Sequence, residues 1–169
     1  MDRRVFVWSV PDEDGKIEER INYMLKNGWA GQGWSSINFN ELSDVEEFRK
    51  VHEEAYKETA RDRAITTFKY LKQIREGDII VLKSGATPYA VGIVKSPLVY
   101  REDLVELDIA NGVYVDWIIH NNGKPLTDFP KFSKARTLGI EQTNEFKNFY
   151  IKKVEEVLNA QKFREEDRS

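Results

Sequence analysis

Residues 77–95 read GDIIVLKSGATPYAVGIVK, and this stretch decides the fold class. Gly77-Asp78 forms a turn before the apolar run Ile79–Leu82; Ser84–Pro88 breaks the chain, and Tyr89–Lys95 resumes it. Two short apolar runs joined by a turn predict neighbouring strands. Gly92, inside the second run, has no side chain to pack, so a bulge or a close backbone approach is expected there. Downstream, Ser96-Pro97 interrupts the pattern before Leu98-Val99-Tyr100. Val113–Ile119 then alternates, with Val113, Val115 and Trp117 on one face and Tyr114, Asp116 and Ile118 on the other, as a strand requires. Asn122-Gly123 marks a turn, and Thr137–Ile140 reads as a short strand. Upstream, Val5–Val10 is a strand ended by Pro11 and the Asp12–Gly15 turn.

Helices separate these runs. In Lys16–Lys26, the positions Ile17, Ile21, Met24 and Leu25 share one face, and Gly28 sits where a left-handed C-cap belongs. Ser43 and Glu46 have capping-box spacing for a helix through about Tyr56. A further helix runs from about Ala60 to Ile74, burying Ala64, Ile65, Phe68 and Leu71. Asn144 to about Ala160 is a last amphipathic helix. The pattern predicts an α+β fold built on a small β-barrel of about five to six strands flanked by helices. One domain over residues 1–160 is expected, with a helical insertion at about 41–74. Residues 161–169 form a polar tail or the start of a linker.

Composition narrows the function classes. The 169 residues carry a net charge of −3 and 20 aromatic side chains, enough for one packed core. No run is long and apolar enough for a membrane span. The absence of cysteine excludes disulfides and thiol chemistry, and the default compartment is the cytoplasm. Charge is uneven: residues 61–100 are net +4 between two acidic segments. Such an island is either a solvated helix face at Arg61–Arg75 or a surface for a polyanion.

Catalytic signatures are missing. There is no phosphate-binding G-x-x-x-x-G-K-[ST] loop, and Gly31-Gln32-Gly33 is not a dinucleotide fingerprint. No nucleophile elbow occurs. His52 lies among acids in mid-helix, His120 ends a strand, and neither has a partner at metal-ligand spacing. Asp116 is the one carboxylate in a core-like strand, and the solvated strand face accounts for it. A binding module without cofactor or metal is therefore expected, not an enzyme.

The tryptophans carry the positive signal. Trp29 and Trp34 lie in the loop Gly28-Trp29-Ala30-Gly31-Gln32-Gly33-Trp34-Ser35-Ser36. A large aromatic in a polar, glycine-rich loop suits a flat heterocycle, since stacking on a base contributes about 1–3 kcal/mol. Trp8 and Trp117 lie in strands, where core packing competes with a pocket role. From the residues alone, Trp34, Trp29 and the neighbouring Ser35 are the candidate pocket, with Trp8 and Trp117 as further candidates. Lys83, Lys95, Arg101 and Lys124 are candidate contacts to a nucleic-acid backbone.

The order of these motifs resembles the EVE and YTH domains of the PUA-like superfamily. VFVWSVP at Val5–Pro11, a helix, and Gly33-Trp34-Ser35-Ser36 are similar to the opening of those domains. Ile74-Arg75-Glu76-Gly77-Asp78-Ile79-Ile80-Val81 resembles the EVE "GD-strand" signature, and Ala90–Val94 resembles the strand that follows it. Val115-Asp116-Trp117-Ile118 resembles the YTH "[VI]-D-W-I" strand. The resemblance implies a reader of a modified, methylated base held in an aromatic cage. Trp34 matches the first cage tryptophan, Ser35 its neighbour and Ser9 the polar residue after the first strand. The second cage tryptophan has no match in Ser96–Arg101, where Tyr100 is the substitute. The implied partner is DNA with a flipped-out modified base, as in the specificity domain of McrB-type (type IV) restriction proteins. There an AAA+ GTPase domain and a nuclease subunit complete the system. The alternative is a PUA-like domain reading modified or structured RNA.

Overall fold

A computed structural model describes residues 3–133 and 138–168. The chain runs β1 (Val5–Ser9), α1 (Ile17–Asn27), β2 (Trp29–Gln32), α2 (Val45–Tyr56), α3 (Asp62–Gln73), β3 (Ile79–Ser84) and β4 (Thr87–Val94). It continues with β5 (Val99–Tyr100), β6 (Asn111–His120), β7 (Leu138–Ile140) and α4 (Asn144–Arg168). These strands form one mixed sheet in the order β2-β6-β4-β3-β1-β7, with β5 also pairing β6. It is an α+β half-barrel flanked by four helices, in keeping with the fold class expected from the strand and helix pattern.

β1 and β3 are parallel, in register from Val5 opposite Ile79 to Ser9 opposite Lys83. Parallel neighbours need a long crossover, and residues 10–78 supply it with α1, β2, α2 and α3. The remaining pairings are antiparallel. The β4–β6 register shifts between Val91 and Gly92. A Cβ on Gly92 would stand 2.4 Å from Val115 Cγ1 and 2.8 Å from the Asp116 carbonyl oxygen, so the bulge needs glycine.

Both faces of the sheet are covered, so β1 is apolar at consecutive positions. Phe6 and Trp8 point into the core under α1–α3, and Val5 and Val7 into the core under α4. The aromatic trio Phe39, Phe48 and Phe68 ties the helical pair to the sheet, with ring centroids 4.7–5.4 Å apart. Burying one such ring contributes about 1.5–3 kcal/mol. On the other face Tyr150 stacks on Phe132 at 5.8 Å, and burial raises its hydroxyl pKa.

The sheet does not close by backbone pairing between β1 and β2 among the described residues. Side chains span the seam instead. Trp8 Nε1 donates to the Gly31 carbonyl at 3.1 Å, and Gln32 Nε2 donates to the Ser9 carbonyl at 2.9 Å.

One local expectation holds and others shift. Gly28 is the left-handed C-cap of α1, with φ 62. The cap of α2 is Asp44, one residue beyond Ser43; its carboxylate accepts from Glu47 N, and Glu47 Oε2 accepts from Ser43 N at 3.4 Å. Residues 29–32, read as loop, form β2, because Gly31 and Gly112 let two backbones approach more closely than a Cβ allows. The segment 161–168, read as a polar tail, continues α4 as helix. Of the short strand expected at 137–140, Thr137 lies outside the described residues.

Candidate base-binding cleft

Gly33 follows β2 and starts the turn that carries Trp34. Trp34 has φ 53, a left-handed conformation costly for a bulky side chain. Such a conformation persists where its surroundings over-determine it, and this turn is bonded on every side. Ile37 N donates to the Trp34 carbonyl at 3.0 Å. Ser35 N donates to Asp108 Oδ1 at 3.1 Å, and Ser35 Oγ accepts from Ala110 N at 3.0 Å. Tyr100 donates its hydroxyl to the Ser35 carbonyl at 2.7 Å, and Asn111 Nδ2 donates to the Ile37 carbonyl at 2.9 Å. Half-buried Trp34 thereby lines a cleft of about 500 Å³, a size typical of ligand sites.

The C-terminal turn of α2 supplies further rings. His52 and Tyr56 are one helical turn apart, with ring centroids 5.0 Å apart. His52 is buried, its Nδ1 3.1 Å from the Glu58 carbonyl oxygen. The Tyr56 hydroxyl lies near Ser36. Burial, and to a smaller degree the nearby Asp108 carboxylate, raise the Tyr56 hydroxyl pKa. Ser9, Gln32 and Asp108 add polar groups to the same cleft, while Arg61 and Arg63 stand exposed on its lining. Arg63 reaches Glu13 at 3.4 Å.

Arg20 fixes the cleft's far side. It is 2% exposed. Its Nε donates to the Leu107 carbonyl at 2.7 Å, and one terminal nitrogen donates to the Pro11 carbonyl at 2.6 Å. The guanidinium also binds both oxygens of Asp14 at 2.7 Å. That bond holds the Asp14 carboxyl below its ordinary pKa. One side chain thus joins the end of β1, the first turn and the loop that presents Asp108.

The sequence candidates separate into distinct places. Trp34 and Ser9 line the cleft. Ser35 lies behind it, holding the turn, and Tyr100 buttresses Ser35 without being part of the lining. Trp8 and Trp29 are corrected to core residues: both are fully buried, and the indole of Trp29 donates to the Ile109 carbonyl at 2.8 Å. Trp117 is also displaced from the pocket, because its indole donates to the Met24 carbonyl on α1.

The backbone candidates fare similarly. Lys83 is fully buried, and its ammonium donates to the Gly85 carbonyl at 2.8 Å, so it is no phosphate contact. Arg101 stacks over Trp29 at 5.4 Å and binds Asp103 at 2.6 Å, away from the cleft lining. Lys95 and Lys124 are exposed. Lys95 follows β4 at the sheet end opposite Ser9, and neither lysine lines the cleft.

Sequence reasoning missed Tyr56, His52, Gln32 and Asp108 as site residues. The crossover brings α2 to the Trp34 turn, and the β5–β6 connection brings the 105–108 loop there. Arg61 and Arg63 had one legible signal, the basic island that starts there. Asp116 is exposed on β6. Among the described residues no three His, Asp or Glu side chains gather as a metal site, and no helix is long and apolar enough to cross a membrane.

The described residues form an α+β half-barrel with an aromatic-lined pocket at its seam. The chain belongs to the family described as "Domain of unknown function (DUF8426)", whose model matches residues 8–140. No curated protein matches the sequence. Similar solved structures include the YTH domain-containing protein mmi1 in complex with RNA. It is 15% identical with a TM-score of 0.45, over 87% of this chain and 78% of that one. A second Mmi1 YTH domain–RNA complex is 16% identical with a TM-score of 0.45, over 96% and 82%. The YTH domain of Zygosaccharomyces rouxii MRB1 with N6-methyladenosine RNA is 15% identical with a TM-score of 0.41, over 90% and 86%.

Proposed function

We propose that this domain reads a modified base, taken out of its stack into the cleft lined by Trp34 and Tyr56. The observation that carries the reading is Trp34 itself: a tryptophan held in a left-handed turn by five hydrogen bonds, with its half-buried ring lining a cleft large enough to admit a base. A methyl on a base adds little surface, so a tight aromatic pocket must detect it, at about 1–3 kcal/mol per methyl. The Gly-Trp-Ser-Ser turn and the Val-Asp-Trp-Ile strand, similar to YTH motifs, support the same reading.

A single-stranded RNA segment is the preferred target. Its bases are already exposed, and aromatic stacking is the usual way proteins hold them. Duplex DNA would add an extrusion cost of a few kcal/mol, for which the cleft offers two exposed arginines. The second reading keeps the flipped base in DNA, with the domain as specificity module of an McrB-like restriction protein. It rests on the EVE-like Gly-Asp motif at residues 77–78. In either case the domain binds and does not catalyse.

Fluorescence polarisation at fixed salt tests this. One sequence is presented as RNA, single-stranded DNA and duplex DNA, each unmodified, with N6-methyladenine and with 5-methylcytosine. Selective binding of one modified RNA, lost in Trp34→Ala, is the expected result. Selective binding of a modified duplex favours the second reading, and equal binding by parent and Trp34→Ala overturns both.

A further inference from the structure

We propose that the cleft selects bases bearing an exocyclic amino N–H over their keto counterparts, with Asp108 as the residue that sets this choice. The inference rests on the base-pocket reading and deepens it. Asp108 is half-buried and lines the cleft beside Gly33. Its Oδ1 accepts from Ser35 N at 3.1 Å. Its Oδ2 lies over Gly33, where an added Cβ would come within 3.1 Å. Glycine at 33 gives this second oxygen its room, and with Oδ1 engaged by Ser35 it is the carboxylate oxygen left for the cleft that Asp108 lines.

A carboxylate only accepts hydrogen bonds. Gln32, at the same floor, has its amide nitrogen on the Ser9 carbonyl at 2.9 Å, which turns its oxygen into the remaining acceptor. Gln32 and Asp108 line the same cleft, and two acceptors on one lining call for a donor edge. Adenine and cytosine present an amino group, and N6-methyladenine and N4-methylcytosine keep one N–H. Hypoxanthine and uracil present a carbonyl oxygen, which would meet the carboxylate acceptor to acceptor, with both groups desolvated and unpaired. N6,N6-dimethyladenine, with no N–H, is rejected for the same reason.

The backbone supports the deciding variant. Asp108 has φ 55, and asparagine adopts this left-handed conformation as readily as aspartate. Asp108→Asn keeps an oxygen for Ser35 N and replaces the cleft-facing oxygen with an N–H donor.

The test measures binding of one oligonucleotide carrying adenine, N6-methyladenine, N6,N6-dimethyladenine or hypoxanthine at a single position. A matched set carries 5-methylcytosine or thymine. The parent is expected to favour the amino member of each pair by about ten- to a hundredfold, and Asp108→Asn to lose or reverse that preference. Trp34-dependent binding that is blind to amino against keto overturns this inference and leaves the base pocket standing. Discrimination by the parent that Asp108→Asn, folded by circular dichroism, leaves intact removes Asp108 as its cause. Binding that is absent or independent of Trp34 overturns both. Should Asp108→Asn not fold, the parent's amino-to-keto ratio decides alone.

Discussion

Ser35 donates its backbone N–H to Asp108 at 3.1 Å, across 73 residues of sequence. The bond joins two turns that each contain a left-handed residue, Trp34 with φ 53 and Asp108 with φ 55. Neither turn is held by local sequence alone. At Trp34 the left-handed conformation costs about 1–2 kcal/mol of backbone strain, aspartate tolerates it better, and each turn supports the other.

Replacing Trp34 separates binding from strain. Trp34→Ala is expected to weaken base binding by about ten- to a hundredfold, the loss of one stacking partner. Trp34→Gly should weaken it equally but unfold at a higher temperature than the alanine variant, because glycine carries no left-handed penalty. Polarisation titrations and thermal melts on both variants check this. Equal melting points would show that the turn is unstrained.

Tyr56 and Tyr100 should behave differently, although both lie near the turn. Tyr56→Ala removes part of the cleft lining and is expected to lower affinity nearly as far as Trp34→Ala. Tyr100→Phe removes only the hydroxyl that binds the Ser35 carbonyl, costing about 0.5–1.5 kcal/mol of stability, with a smaller effect on affinity. A denaturant series paired with binding assays distinguishes the two. The reverse ranking would move the pocket to the Tyr100 side.

Arg61 and Arg63 are expected to meet phosphate. Each change to serine should reduce the slope of log affinity against log salt by about one. Lys83→Met should leave that slope unchanged, since its ammonium is buried against carbonyls. Binding measured across a salt series reads this directly, and an unchanged slope in both arginine variants would place the backbone path elsewhere.

Acid should loosen the cleft through Asp14. The Arg20 bond lowers the folded carboxyl pKa below its ordinary value of 3.8. The bond's contribution is therefore complete above 3.8 and is lost as pH falls through the lower folded value. A flat melting temperature between about pH 5 and 8 and a fall below 3.8 are expected. Asp14→Asn should remove the part of that fall this bond causes. Arg20→Met should cost more at every pH, about 1–3 kcal/mol, because the Pro11 and Leu107 carbonyls lose a buried donor.

What was legible in the sequence was local. Apolar runs marked most of the strands, Gly28 marked the end of α1, and Gly92 marked a bulge that its crowded backbone requires. Trp34 was legible because a large ring beside glycines and serines has little to pack against within its own segment. Long-range placement was not legible. Trp8 and Trp29 carry the same side chain as Trp34, yet their indole N–H groups reach carbonyls 23 and 80 residues away and bury them. Lys83 reads as a surface charge until the β3–β4 turn sets the Gly85 carbonyl on the ammonium and the distant Ser133 carbonyl comes within 3.5 Å. Tyr56 and Asp108 enter the cleft only through the crossover and the 105–108 loop, and neither has a local pattern to announce it.

The bond from Gln32 to the Ser9 carbonyl has a consequence for how this domain can diverge. It is at once a clasp between β1 and β2 and part of the cleft floor. The pocket is a closure defect, a place where a curling sheet stops short of meeting itself. A change that retunes the floor for another base also loosens the clasp. New specificities should therefore arise together with compensating changes at the Trp8–Gly31 contact, the other rivet of the same seam.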